Sequence, residues 1–110
     1  AAQRLLNEAA RYLGTPYVWG GYSPSGFDCS GFVSYCLTHS GVRNTGRLTA
    51  QGLYDICTPV SQSEAQPGDL IFFTGTYDAG VPVTHIGIYV GNGQMIHCGH
   101  PVQYTSINSP

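Results

Sequence analysis

Apolar positions change their period part-way along the chain. From Ala1 to Leu13 they recur at helical spacing: Leu5, Leu6, Ala9, Tyr12 and Leu13 approximate one stripe, with Gln3, Arg4, Asn7, Glu8 and Arg11 elsewhere. Gly14 and Pro16 punctuate the end of this first predicted helix. Residues 28–39 predict a second helix with Asp28 as N-cap and Gly41 as stop. Phe32, Val33, Tyr35, Cys36 and Leu37 make it nearly apolar around its circumference, so it is expected to be central and buried. A third, short helix is expected over Ala50–Ile56, capped by Thr49. Residues 14–27 between the first two helices read as a long aromatic loop, punctuated by Gly20-Gly21 and Ser23-Pro24. Long loops of that kind tend to carry function.

After Pro59 the period shortens to that of strands. Pro67-Gly68-Asp69 introduces an apolar run over Leu70–Phe73, and a polar loop follows. Thr84–Val90 and Gln94–Cys98 flank Gly91-Asn92-Gly93, a strong hairpin signal, and Val102–Thr105 is a further candidate strand. Helices first and strands second predict an α+β fold of one domain spanning residues 1–110, with N-terminal helices and the central helix packed on an antiparallel sheet.

Composition narrows the function classes. The 110 residues carry four arginines, six acids and no lysine, for a net charge of −2. A nucleic-acid binder needs a basic footprint that this chain lacks. The 42% apolar content with so few charges argues against disorder. No apolar run approaches the length of a membrane span, and no secretory signal is read at the start. Four cysteines, Cys29, Cys36, Cys57 and Cys98, form no CxxC pair, so no metal site is expected. They leave open two disulfides or a nucleophile.

Cys29 follows the candidate N-cap directly, so its thiol is expected at the positive end of the helix dipole, beside unpaired backbone N–H groups. That position is expected to lower a thiol pKa and to offer an oxyanion site. Cys36, about two turns on, lies deeper. From position alone, Cys29 is either a nucleophile, a small buried apolar residue or half of a disulfide. A nucleophile needs a base and a group to orient the base. His85 and His97 both fall in the predicted hairpin. A strict two-residue turn at Asn92-Gly93 pairs 91 with 94 and 88 with 97, and puts the two histidines on opposite faces. A three-residue connection with Gly93 at a bulge pairs 90 with 94 and 87 with 97, and makes them diagonal neighbours with Gly87 opposite His97. His39 and His100 are read as ordinary surface or core residues.

Four stretches resemble the NlpC/P60 family of papain-like cysteine peptidases of bacterial cell walls. They are Gly14-Thr-Pro-Tyr-Val-Trp-Gly-Gly21, Asp28-Cys-Ser-Gly-Phe-Val33, Pro67-Gly-Asp-Leu-Ile-Phe-Phe73 and His85-Ile-Gly-Ile-Tyr-Val-Gly-Asn-Gly-Gln-Met-Ile-His97. The resemblance implies Cys29 as nucleophile, His85 as base and His97 as the residue orienting the base. It implies further that Tyr17, Asp28 and Ser30 line the substrate pocket, where Asp28 would suit the free amine of a stem peptide.

The implied activity is hydrolysis of the γ-D-glutamyl–diamino acid bond of peptidoglycan stem peptides, with no cofactor. Family members usually continue past the last strand read here. The chain is therefore expected to be the catalytic part of a longer secreted or wall-associated bacterial protein, working with that protein's other domains. Competing readings are an amidase, an acyltransferase or lipid-processing enzyme on the same scaffold, and a non-catalytic wall-binding or disulfide-stapled module.

Overall fold

A computed structural model describes residues 2–74 and 83–108. The first helix, α1 (Ala2–Ala10), buries Leu5 and Ala9 and also Glu8, whose carboxylate accepts from the Tyr12 hydroxyl and from Arg11. The expected continuation to Leu13 is present only as a tightened turn, in which Arg11, Tyr12 and Leu13 donate three residues back. Gly14 then takes a positive φ of 88° and donates to the Val102 carbonyl at 3.0 Å, tying the end of α1 to the last strand.

The aromatic loop contains a small hairpin that periodicity did not reveal, β1 (Tyr22–Ser23) against β2 (Gly26–Phe27). Two-residue strands are too short to show alternation. Phe27 packs edge-on against Tyr12 and Phe32 and tilted against Tyr35, which joins the loop to α1 and to the second helix.

That second helix, α2 (Cys29–His39), is the buried centre: Phe32, Val33 and Cys36 are fully enclosed. Helix α3 (Ala50–Asp55) begins as expected at Thr49, whose hydroxyl accepts from the Gly52 N–H. A four-stranded antiparallel sheet follows in the order β3 (Leu70–Thr74), β4 (Val83–Gly91), β5 (Gln94–Cys98), β6 (Val102–Ser106). Ile86, Ile88, Ile96 and Val102 form its core side with α2. The architecture is α+β, as expected. The polar loop expected between β3 and β4 falls at 75–82, outside the described residues. No helix among the described residues is long and apolar enough to cross a membrane.

Strand β4 has two register shifts, one on each side of His85. Phe73 pairs with His85 while Thr74 pairs with Val83, so Thr84 is an extra residue. At the other end Gly91 pairs with Gln94 across Asn92 (φ 55°) and Gly93 (φ 74°), a two-residue turn of the primed type. Tyr89 then pairs with Met95 and Ile88 with Ile96, so Val90 is extra. The turn therefore matches one expectation and the pairing beyond it the other: the bulge lies at Val90, not at Gly93. Its effect is to bring Gly87 against His97, where a Cβ on Gly87 would sit 3.2 Å from the Cβ of His97.

Candidate active site

Asp28 caps α2, accepting from the Gly31 N–H at 2.6 Å, and thereby fixes the first turn that carries Cys29. The same turn is pressed against residues 18–21. Asp28 donates its N–H to the Gly21 carbonyl at 3.1 Å, and Gly20 donates to the Asp28 carboxylate at 3.1 Å. The Cys29 side chain is buried beneath β4. Its sulfur is 4.0 Å from the Thr84 carbonyl, and backbone N–H groups of Ser30, Ile86 and Cys29 itself favour its thiolate. Thr84 and Ile86 are the two chain neighbours of His85, so Cys29 sits against the strand at the position of the histidine.

His85 Nε2 lies 2.8 Å from His97 Nδ1, with the two rings nearly perpendicular. His97 Nε2 lies 3.0 Å from the Thr105 hydroxyl on β6. The β5–β6 ladder explains that contact: His97 pairs with Gln103 and Met95 with Thr105, so Thr105 is the diagonal neighbour of His97 on one face. His85 and His97 thus meet, Cys29 lies against the backbone on either side of His85, and Thr105 continues the line from His97.

The electrostatics oppose the expectation for Cys29. Its N–H neighbours do favour the thiolate, but burial, reinforced by the Asp28 carboxylate, outweighs them and pushes the thiol pKa up. Burial and the neighbouring His97 ring hold His85 down at about 4, and burial lowers His97 as well. Cys98 lies close enough to Cys29 and Asp28 to feel both, and with burial is pushed up to about 12; its thiol donates to the Phe27 carbonyl at 3.1 Å. All four cysteines are free, which removes the disulfide reading.

Around this centre the expected pocket residues take different places. Ser30 donates to Asp28 at 3.3 Å. Arg47, which the sequence did not single out, ties both together: its guanidinium bonds Asp28 at 2.6 Å, Ser30 at 2.9 Å and the Leu48 carbonyl at 2.8 Å. The Asp28 carboxylate is thus already ion-paired. Tyr17 lies in the segment paired with Phe27, and its ring leans on His100 at 5.0 Å. His100 follows Gly99, where a Cβ would stand 3.2 Å from the His97 ring, so the β5–β6 turn lies over the histidine. A separate groove of about 880 Å³, between α3, β3 and residues 56–65, includes none of Cys29, His85 and His97.

The NlpC/P60 family model matches residues 14–110, nearly the whole chain. The chain belongs to the NlpC/P60 family. Among its relatives, a probable endopeptidase p60 of Listeria seeligeri is 49% identical over 105 residues, covering 94% of this chain and 19% of that protein. The bifunctional muramidase/DL-endopeptidase CwlT of Bacillus subtilis is 43% identical over 109 residues, covering 97% of this chain and 32% of the relative. This NlpC/P60 domain therefore spans between a fifth and a third of those relatives. An NLP/P60 family structure from Staphylococcus aureus superposes with a TM-score of 0.90 at 43% identity, covering 98% of this chain and 36% of the other. The NlpC/p60 domain of the peptidoglycan hydrolase SagA gives 0.83 at 39% identity, covering 98% and 91%.

Proposed function

We propose that this chain is a cysteine peptidase that cuts peptidoglycan stem peptides at the γ-D-glutamyl–diamino acid bond. The observation that carries this reading is the alignment of Cys29 against the chain neighbours of His85, with His85 in turn bonded to His97. The names of the relatives support it, two of them being endopeptidases of the p60 and CwlT kinds. The short share of those relatives that it covers supports a role as one module of a longer, wall-associated protein.

In this reading the Cys29 proton passes to His85 Nδ1 as sulfur attacks the γ-carbonyl carbon, and the carbonyl oxygen becomes an oxyanion beside the Cys29 N–H. The His85 imidazolium, steadied by His97, returns the proton to the leaving α-amine, which departs and leaves a thioester. His85 then takes a proton from water as its oxygen attacks the thioester, the C–S bond breaks, and the Cys29 thiolate regains a proton from His85. Tyr17, Asp28 and Ser30 border the substrate. Since Asp28 is shared with Arg47, an incoming peptide amine would meet a carboxylate already compensated.

The test is digestion of purified sacculi with mass analysis of the new termini. Products ending in D-glutamate with a free diamino-acid amine are expected, and none from Cys29→Ala or His85→Ala. Undiminished cleavage by either variant would refute the reading. Release at the muramoyl–alanine bond would make the enzyme an amidase, and an acyl group carried on Cys29 from a lipid ester would make it an acyltransferase.

A further inference from the structure

His97 is held at both ring nitrogens, and the two contacts restrict its proton to two arrangements. Nδ1 faces His85 Nε2 at 2.8 Å and Nε2 faces the Thr105 hydroxyl at 3.0 Å. If His85 is to take a proton from Cys29 on Nδ1, its Nε2 carries hydrogen both before the transfer, as the neutral ring, and after it, as the imidazolium. In both states His97 Nδ1 must accept. The single proton of neutral His97 then resides on Nε2, and the Thr105 oxygen must accept it.

The opposite arrangement is also chemically complete, and it is idle. A Thr105 hydroxyl donating to Nε2 would place the His97 proton on Nδ1. His85 Nε2 would then accept, and the His85 proton would sit on Nδ1, facing a thiol from which it can take nothing. Which of the two is populated is set at Thr105. His97 is 5% exposed and its Nε2 has the Thr105 hydroxyl as its hydrogen-bond partner. The Thr105 contact is common to both arrangements, and one feature favours the working one. Thr105 is half-buried on the outer strand of the sheet, so its own hydroxyl hydrogen can turn to solvent. Depression of both histidines supports one proton per ring.

We infer that Thr105 is a positioning residue: its hydroxyl oxygen accepts the His97 Nε2–H and so holds the histidine pair in the tautomer in which His85 Nδ1 can take the proton of Cys29. The catalytic part of this inference rests on the proposed peptidase reading; the tautomer part does not.

The experiment is nitrogen NMR of the histidine-labelled 110-residue chain, with Thr105→Val and Thr105→Ser, alongside turnover of stem peptide and the rate of Cys29 alkylation by iodoacetamide. Valine keeps the shape and strand preference of threonine, and a thermal midpoint close to that of the wild type checks the fold. The wild type and Thr105→Ser should show His97 protonated at Nε2. Thr105→Val should show mixed tautomers and a kcat reduced about tenfold with KM little changed, a loss that serine restores.

A wild-type His97 protonated at Nδ1 would overturn the inference. So would a Thr105→Val variant that keeps the tautomer, or one that mixes tautomers with neither kcat nor alkylation affected. A wild type that alkylates normally at Cys29 yet cleaves no stem peptide would sink the peptidase reading instead. The ring nitrogens and the alkylation rate would then decide the role of Thr105 on their own.

Discussion

Gly31 and Gly52 occupy the same position in two helices, three residues after an N-cap whose side chain accepts from their N–H. Glycine-to-alanine substitution in a helix gains about 0.5–1 kcal/mol from backbone entropy alone. At Gly52 the new Cβ would meet the Thr49 hydroxyl at 3.3 Å and the Leu48 Cβ at 3.6 Å, a slightly tight fit against side chains. Gly52→Ala should therefore leave stability unchanged or raise it by a few tenths of a kcal/mol.

At Gly31 the same Cβ would stand 1.9 Å from the Gly21 carbonyl oxygen and 2.8 Å from an Asp28 carboxylate oxygen. A backbone oxygen cannot swing aside, so α2 or residues 18–21 must move by more than about 1 Å. Overpacking of this kind costs about 1–3 kcal/mol, and loss of the Asp28-to-Gly21 backbone bond adds about 1. After the helix gain is subtracted, Gly31→Ala should lose about 2 kcal/mol, a fall of roughly 8–15 °C in Tm for a domain of this size. Because the displaced turn carries Cys29, its alkylation rate should change as well. Thermal unfolding of the two variants side by side is the assay. Equal midpoints for Gly31→Ala and Gly52→Ala would refute the packing argument.

Three further outcomes follow from the site and its surroundings. His85 titrates near 6.5 when unfolded and at about 4 when folded, so folding favours its neutral ring. Stability from that source is complete above the unfolded value and is lost as pH falls from 6.5 to about 4, and a His85→Asn variant should show a flatter Tm–pH curve over that window. Arg47→Met removes the cation that offsets Asp28 beside the thiol; it should cost about 1 kcal/mol and slow Cys29 alkylation at neutral pH, and faster alkylation would contradict the assignment. Thr38 has a buried hydroxyl with no hydrogen-bond partner among the described residues, so Thr38→Val should raise stability by about 1 kcal/mol in denaturant titration.

Local chemistry made most of the elements readable. Asp28 and Thr49 are both caps because a short oxygen-bearing side chain precedes each apolar run, and the structure uses both oxygens as expected. Asn92-Gly93 announced its turn because both residues tolerate positive φ. What stayed hidden depends on contacts between distant residues or on counting. Arg47 reaches Asp28 across nineteen positions, and nothing in its own neighbourhood points there. Thr105 could be put on the same face as residue 103 by alternation, but not opposite any particular residue of β5 until the 99–101 turn is known. The upward push on the Cys29 thiol is not legible either, because a helix start is visible in sequence, whereas the β4 backbone that buries the thiol is not.

The surplus residue Val90 decides which histidines of the hairpin can meet. Beyond Val90 every side chain of the strand keeps its face only because one position has been skipped. Were Val90 paired with Met95, residue 88 would lie opposite His97 and His85 would turn to the other face; leaving Val90 out of the ladder keeps Gly87 opposite His97 and the two histidines together. In this hairpin the meeting of the two histidines is written in spacing as much as in residue identity.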